Sequence, residues 1–460
     1  MPAASASDTP AQPELFGHPK GLTFLFSTEM WERFSYYGMR SLLVLYMVKY
    51  LLVGHSDEII GFAGLRAALQ SVFGPLAVQP LASQIYGIYT GLVYLTPIFG
   101  GLLADRVLGQ RRTVIIGAVL MALGHFMMAF ESLFLFALLA LILGNGAFKP
   151  NISTQVGRLY GQGDPRRDRA YSVFYVGINL GAFFSPLVCG TLGEKLGWPY
   201  GFAAAGLGMV IALLIYAFAL RILPPDLRTE RRHVAWRDLT LDQRRGAWSI
   251  LLLFIPVVLF WTGYEQQGNT IALWADGFTD RSIDLGFWHA TIPTTWFQAF
   301  NPFMIFAFTP FVVALWRRQV QRGREPSTVT KLVFGCVGLA LANLIMATAA
   351  WNTGAGGKAS WLWLLAYFAV ITIGELYLSP TGLSFVTKAA PASMVSLMMG
   401  VWLATDFVGN FLAGWLGSYW SAMAKAEFFL MIAAIGALAA VLVFAVNRAL
   451  AALPSGPTGS

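Results

Sequence analysis

The sequence predicts an all-α membrane protein, with twelve transmembrane helices arranged as two six-helix bundles. Three observations carry that expectation. Of 460 residues, 57% are hydrophobic and only 12% charged, about half the charge of a soluble chain, and the mean hydropathy is +0.62. The apolar residues fall in runs of about twenty, the length that crosses a bilayer. The cations behind the net charge of +8 cluster on alternate loops.

Each element follows from an apolar run and the polar residues that end it. Span 1 covers 24–53, and span 2, 80–104, ends in GGLLADRVLGQRR, Gly100 to Arg112. Span 3 covers 112–130. Span 4, 133–157, contains GNGAFKPNIS and stops at Arg158; span 5, 169–193, contains FYVGINLG and follows Arg166 and Arg167. Span 6 is 200–222. An arginine-rich stretch with Arg228, Arg231, Arg232, Arg237, Arg244 and Arg245 then separates the halves. Span 7, 248–275, carries WTGYEQQG, and span 8, 293–316, carries FNPFMI and ends before Arg317, Arg318, Arg322 and Arg324. The last four are 328–351, 360–387 with GELYLSP, 392–420 with WLATDFVGN, and 426–449. The expected units are a tail at 1–22, bundles at 23–223 and 248–450, a linker at 224–247 and a tail at 451–460.

All arginine clusters, including Arg106, Arg111 and Arg112, fall on one side of this layout. The opposite loops hold only scattered cations such as Arg66, Lys195, Arg281, Lys358 and Lys425. The positive-inside rule then puts both termini in the cytoplasm, in an integral multi-pass protein of the cytoplasmic (inner) membrane. The pI of about 9.5 is accounted for by topology, and no nucleic-acid partner is expected. The Ala-, Pro- and Ser-rich start shows no cleavable signal. Cys189 and Cys336 both lie inside spans, too few for a disulfide framework or metal cluster. The five histidines form no ligand spacing, and no HExxH pattern is present. Neither an enzyme nor a bound cofactor is expected.

Chemistry enters with TEMWERFSYYGMRSLLVLYM, Thr28 to Met47. Glu29, Glu32, Arg33, Tyr36, Tyr37 and Arg40 recur at helical spacing and share one face of span 1. Each charge at bilayer depth costs about 2.5–3.5 kcal/mol unless paired, so the stripe faces partners or a wet cavity. At 1.5 Å per residue, Glu29 to Arg33 lie about 8–14 Å above the cytoplasmic end of span 1, and Lys149 about 12 Å above that of span 4. A lysine amine then meets the glutamates at one level. Arg40 and Glu265 both lie about 24–26 Å up and pair across the bundles. Near mid-depth stand Asn179, Asn301, Glu375 and Asp406. Snorkelling remains an alternative for Lys149, as does interhelical bonding for Asn179 and Asn301. Tyr36, Tyr37, Tyr94 and Trp402 also read as packing aromatics. Gly87/Gly91 and Gly177/Gly181 let helices approach closely.

The 6+6 layout resembles the major facilitator transporters, and GGLLADRVLGQRR resembles that superfamily's loop after span 2, with Asp105, Arg106, Gly109, Arg111 and Arg112 matching. There Asp105 would sit against the start of span 11, after Pro391. The run Glu29-x-x-Glu32-Arg33-Phe34-x-Tyr36-Tyr37-Gly38 resembles the span-1 motif of the proton-dependent oligopeptide transporter (POT) family. FYVGINLG, YLTPIFGGLLAD, FKPNIS, EQQG and GELYLSPTGLS are also similar to that family, so the resemblance runs from span 1 to span 11. The resemblance implies a proton-coupled symporter importing di- and tripeptides by alternating access, working as a monomer. It implies that Arg33 and Lys149, with Tyr37 and Tyr94, hold the peptide carboxylate. Asn179, Asn301 and Glu375 would hold the amino group, with Trp402 also in the binding pocket. Glu29 and Glu32 would exchange protons through Arg33 and Lys149, and Arg40–Glu265 would gate and couple on the outer side. Three departures stand out: no room at 224–246 for two extra helices, Gly87 where animal members carry histidine, and Asp406 where a small or polar residue is expected.

The implied mechanism is competition: glutamates and peptide carboxylate seek the same two cations, and a proton on Glu29 or Glu32 frees them. One proton crossing 100 mV yields about 2.3 kcal/mol, and a pH unit adds about 1.4 kcal/mol. Together they concentrate a neutral solute several hundredfold. The alternative within transport is a proton-coupled carrier of an amino acid, nitrate or a drug on the same fold.

Overall fold

The computed structural model describes residues 14–452 apart from 162–163, 165, 227–239, 285, 287–288, 355 and 392–393. The start of the expected first tail, linker residues Arg228, Arg231, Arg232 and Arg237, and most of the last tail lie outside the described residues.

Long helices dominate the described chain: α1 (Lys20–Tyr46), α2 (Val78–Leu103), α3 (Gln110–Met127), α4 (Phe134–Arg158), α5 (Arg166–Ser185) and α6 (Trp198–Ala219). After the linker come α7 (Leu241–Tyr264), α8 (Phe300–Gln321), α9 (Thr328–Thr353), α10 (Leu362–Ala389), α11 (Val395–Gly417) and α12 (Lys425–Ala452). Ten of these are long and apolar enough to cross a membrane, so the chain is an all-α, multi-pass membrane protein. The two outside that measure are α1, which carries the charged stripe, and α3, only 18 residues long and opening on Gln110, Arg111 and Arg112. The exterior agrees: Ile255, Phe311 and Val441 are each more than 60% exposed, an arrangement stable only where lipid replaces water.

Boundaries depart from the apolar runs where polar chemistry overrides hydropathy. α7 starts at Leu241, not near 248, because Thr240 and Gln243 form a reciprocal capping box. Span 7 is broken: α7 stops at Tyr264, a 3-10 turn covers Glu265–Gly268, and helix resumes at Thr270–Gly277. Gly268 permits the break to seat a neighbour, since a Cβ there would lie 1.9 Å from the Tyr86 hydroxyl. A short helix, Phe62–Phe73, crosses the loop between α1 and α2, and two-residue strands Thr279–Asp280 and Ala359–Ser360 pair in parallel.

Packing sorts the helices. α1 packs on α5 and α6, α3 on α4 and α6, and α2 on α4; after the linker, α9 packs on α10 and α12, α7 on α11 and α12, and α8 on α10. The two groups meet chiefly where α2 crosses α11 and α5 crosses α8. Glycines set these distances. A Cβ on Gly181 would lie 2.2 Å from the Met30 carbonyl oxygen, tying α5 to α1, and one on Gly87 would lie 2.6 Å from Gly414 Cα, tying α2 to α11. At the loop after α2, the Asp226 carboxylate accepts from the Arg111 backbone N–H at 3.3 Å, serving the α3 N-terminus.

Candidate functional site

Helical repeat puts the α1 stripe on the interior, with Glu29, Glu32 and Arg33 each no more than 3% exposed. Arg33 donates from Nε to Glu32 and from Nη2 to Glu32 Oε1 at 2.6 Å. Its Nε also lies 3.3 Å from Glu29 Oε1. Asn145 of α4 donates to Glu32 Oε1 at 3.4 Å. One guanidinium therefore faces two carboxylates, and Glu29 Oε2 is buried with no hydrogen-bond partner among the described residues.

Lys149 departs from its expected partners. No ion pair joins it to Glu29 or Glu32 among the described residues; its Nζ lies 4.6 Å from the centre of the Tyr94 ring, a cation–π distance. The physical reason is local. Arg33 shares α1 with both glutamates and engages them at short range, leaving the amine on α4 to face inward.

Above this level a cavity of about 360 Å³ opens between the two helix groups. Tyr37, Tyr94, Lys149 and Asn179 line it from one side, and Asn301, Glu375, Trp402 and Asp406 from the other, with Arg40 and Glu265 also on its wall. Glu29, Glu32 and Arg33 are not among the lining residues. Arg40 donates from Nη2 to Glu265 and from Nε to the Tyr86 hydroxyl at 2.7 Å. Asn301, at the start of α8, donates to Glu375 Oε2 at 2.8 Å and to Thr372 Oγ1 at 3.0 Å. Asn179 Nδ2 donates to the Tyr175 carbonyl at 3.0 Å. Trp402 is seated by Gly382, where a Cβ would lie 2.1 Å from the indole.

The cavity is asymmetric. On the side of Lys49 and Glu194 the two groups are laced together. The Glu194 carboxylate accepts from the backbone N–H of Thr294 and Thr295 and from Thr295 Oγ1, each at 2.8 Å. Asp276 pairs with Lys49 at 2.9 Å, Trp296 Nε1 donates to Thr191 Oγ1 at 2.8 Å, and Gln298 reaches the Ser41 carbonyl at 3.3 Å. Toward the arginine-rich side, Tyr175, Asn179 and Ile305 belong both to the cavity and to a groove of about 530 Å³ between α5 and α8. Before α5, hydrogen bonds from the Arg166 side chain and backbone hold the Asp164 carboxyl below its ordinary value.

Several participants escaped the sequence reading. Tyr86 and Tyr264 carry no charge and sit among many tyrosines; their only signals are adjacency to Gly87 and Glu265. Glu194 lies at a span end, where charge is ordinary. No group of three or more His, Cys, Asp or Glu that could hold a metal occurs among the described residues.

Three comparisons bear on this arrangement. The model of the POT family matches residues 111–224 and 227–438. A di-/tripeptide transporter of Lactococcus lactis subsp. cremoris is 32% identical over 94% of this chain and 96% of its own length. A peptide transporter of Yersinia enterocolitica is 34% identical over 90% of each chain. Among solved structures, a peptide transporter POT in complex with sulfate superposes with a TM-score of 0.84 at 29% identity, covering 97% of this chain and 98% of that one. A POT family transporter in complex with 5-aminolevulinic acid gives 0.82 at 26% identity, covering 96% and 98%.

Proposed function

The chain belongs to the POT family, and from that premise we propose that it is a proton-coupled symporter importing di- and tripeptides by alternating access. One observation carries the reading: charged and amide side chains from both helix groups converge on one chamber of about 360 Å³, laced shut on one side and sharing Tyr175, Asn179 and Ile305 with a groove toward the other.

A short peptide is a zwitterion with apolar side chains, and the chamber wall matches it. Lys149, with Tyr37 and Tyr94, takes the carboxylate, and Arg33 joins once Glu29 is protonated and lets go of it. Asn179, Asn301 and Glu375 take the amino group, and Trp402 flanks the side chains. Charge-assisted hydrogen bonds are the strong ones, so the two ends fix orientation while the middle tolerates variety. Glu29, with its unpartnered oxygen, is the natural seat of the transported proton, and Glu32 stays on Arg33. Protonation removes one claimant from the guanidinium, and cargo carboxylate takes its place. Arg40 and Glu265 gate the outer side, and Glu265 shares in coupling.

The same reading extends to architecture. All twelve long helices span the membrane, α1 included because its charges face inward, and residues 23–223 and 248–450 form the two bundles around a 224–247 linker. The arginine clusters put both termini in the cytoplasm. A chamber built entirely from one chain supports a functional monomer. The sequence reading's alternative, another small solute, keeps one support: a relative was crystallised with 5-aminolevulinic acid, which also carries an amine and a carboxylate.

In liposomes, Glu29→Gln and Glu32→Gln abolish dipeptide accumulation driven by a proton gradient while counterflow persists. Normal accumulation in both variants overturns the coupling scheme. Competition by di- and tripeptides, and not by single amino acids, against labelled dipeptide separates the two cargo classes.

A further inference from the structure

The ionisable groups of the chamber and its floor pair off unevenly. Arg33 is held by Glu29 and Glu32, and Arg40 by Glu265. The Glu375 carboxylate receives the Asn301 amide. Two groups of opposite sign are left on the wall, Lys149 from α4 and Asp406 from α11, neither in an ion pair among the described residues. Asp406 is only 7% exposed, in surroundings where an uncompensated charge is costly.

Backbone packing brings the two together. Lys149 rests on Tyr94 of α2, and α2 lies against α11 with almost no side chain between them. A Cβ on Gly91, about one turn from Tyr94, would lie 3.1 Å from the carbonyl oxygen of Phe407, the neighbour of Asp406. Each group lies in the field of the other; Glu265, the like charge near Asp406, is offset by Arg40. The remaining titratable groups on this wall are Tyr37, Tyr94, Tyr175, Tyr264 and Glu375.

We propose that Asp406 is the counter-charge of Lys149 during return of the unloaded carrier, reached from the opposite bundle, and that the cargo's carboxylate displaces it. A carrier must close around its site both loaded and unloaded. Loaded, Lys149 is neutralised by the peptide; unloaded, it needs an anion from the protein. Glu29 and Glu32 are engaged by Arg33, so Asp406 supplies it and ties the two bundles together in that step. It is a positioning residue, acting through Lys149. The inference rests on the carboxylate-bearing cargo proposed above.

The test reads the unloaded carrier directly. A cysteine placed at Ser379, on the chamber wall, is labelled by a membrane-impermeant thiol reagent added outside proteoliposomes without peptide; native Cys189 and Cys336 are buried. Asp406→Asn slows labelling by about tenfold or more, the effect of an unpaired charge at bilayer depth. Asp406→Glu restores it, as does the double variant Lys149→Gln/Asp406→Asn, which has no charge left to neutralise. With dipeptide, Asp406→Asn lowers net uptake far more than exchange, and exchange half-saturates at lower peptide concentration. Wild-type labelling in Asp406→Asn overturns the inference, as does a double variant no faster than the single one, which a merely misfolded single variant would also give. Wild-type protein that moves no dipeptide refutes the cargo reading instead, and the labelling arm is unaffected by that result.

Discussion

Gly87→Ala tests how the outer side is held shut. The added Cβ would lie 2.6 Å from Gly414 Cα and 2.8 Å from both the Asn410 carbonyl oxygen and the Gly414 nitrogen, against 3.4 Å for ordinary contact. The shortfall at Gly414 is about 0.8 Å, and all three opposing atoms are backbone, so no side chain can swing away. Overpacking of this kind costs about 1–3 kcal/mol. The whole cost falls on the state in which α2 and α11 touch, because these helices belong to the two different packing groups. The balance therefore moves toward the outward-open form by about 5- to 150-fold. The assay is outside labelling of a cysteine at Ser379, which rises, together with dipeptide uptake, which falls. Gly117→Ala is the control. It is equally tight, 2.6 Å from the Gly144 carbonyl oxygen, but lies between α3 and α4 of one packing group, so it lowers melting temperature without changing labelling. Unchanged labelling in Gly87→Ala refutes the claim that glycine contact sets the closed state.

Three further outcomes follow from single contacts. Glu265→Gln leaves the Arg40 guanidinium buried with Tyr86 as its remaining polar contact, and breaking such a pair costs about 3–5 kcal/mol. Melting temperature drops, and Arg40→Gln/Glu265→Gln recovers more than half of the loss; a double variant no better than the single one shows that the pair adds nothing beyond size. Glu375→Gln raises the half-saturating dipeptide concentration about tenfold, the value of a charge-assisted bond, and has no effect on an N-acetylated dipeptide. Equal effects on both cargoes exclude Glu375 as the amine anchor. Glu194→Gln loses at least one of three hydrogen bonds, because its NH2 cannot accept, and strips the charge assistance from the others. Outside labelling at Ser379 rises several-fold, about 1 kcal/mol of lost closure; no rise means the ties at Lys49 and Trp296 suffice.

The membrane class and the long helices were legible because hydropathy and length are local properties, visible without a partner. Helix ends were less so. The capping box at Thr240 and the break at Glu265–Gly268 are set by hydrogen bonds and by the space Tyr86 needs, which an apolar run does not record. Depth along the helices correctly brought Arg40 to Glu265 because rise per residue is fixed and both lie on opposed spans. It did not resolve which cation meets Glu29 and Glu32. Arg33 and Lys149 share a depth, and the choice turns on rotation about the helix axis and on Tyr94. Glu194 was invisible for a related reason. Two of its three hydrogen-bond donors are backbone amides, which every residue but proline possesses and no sequence distinguishes.

The Arg40–Glu265 pair forms part of the chamber's wall beneath the outer seal, and its burial has a consequence for how that seal breaks. Two buried ions that part must each find new solvation at once, so separation and wetting are one event. Outward opening then draws in a discrete number of water molecules, and its equilibrium responds to osmotic pressure as a binding reaction responds to ligand. An excluded solute such as sucrose on the outer face acts as a brake on the opening step while leaving the inward-facing half of the cycle untouched.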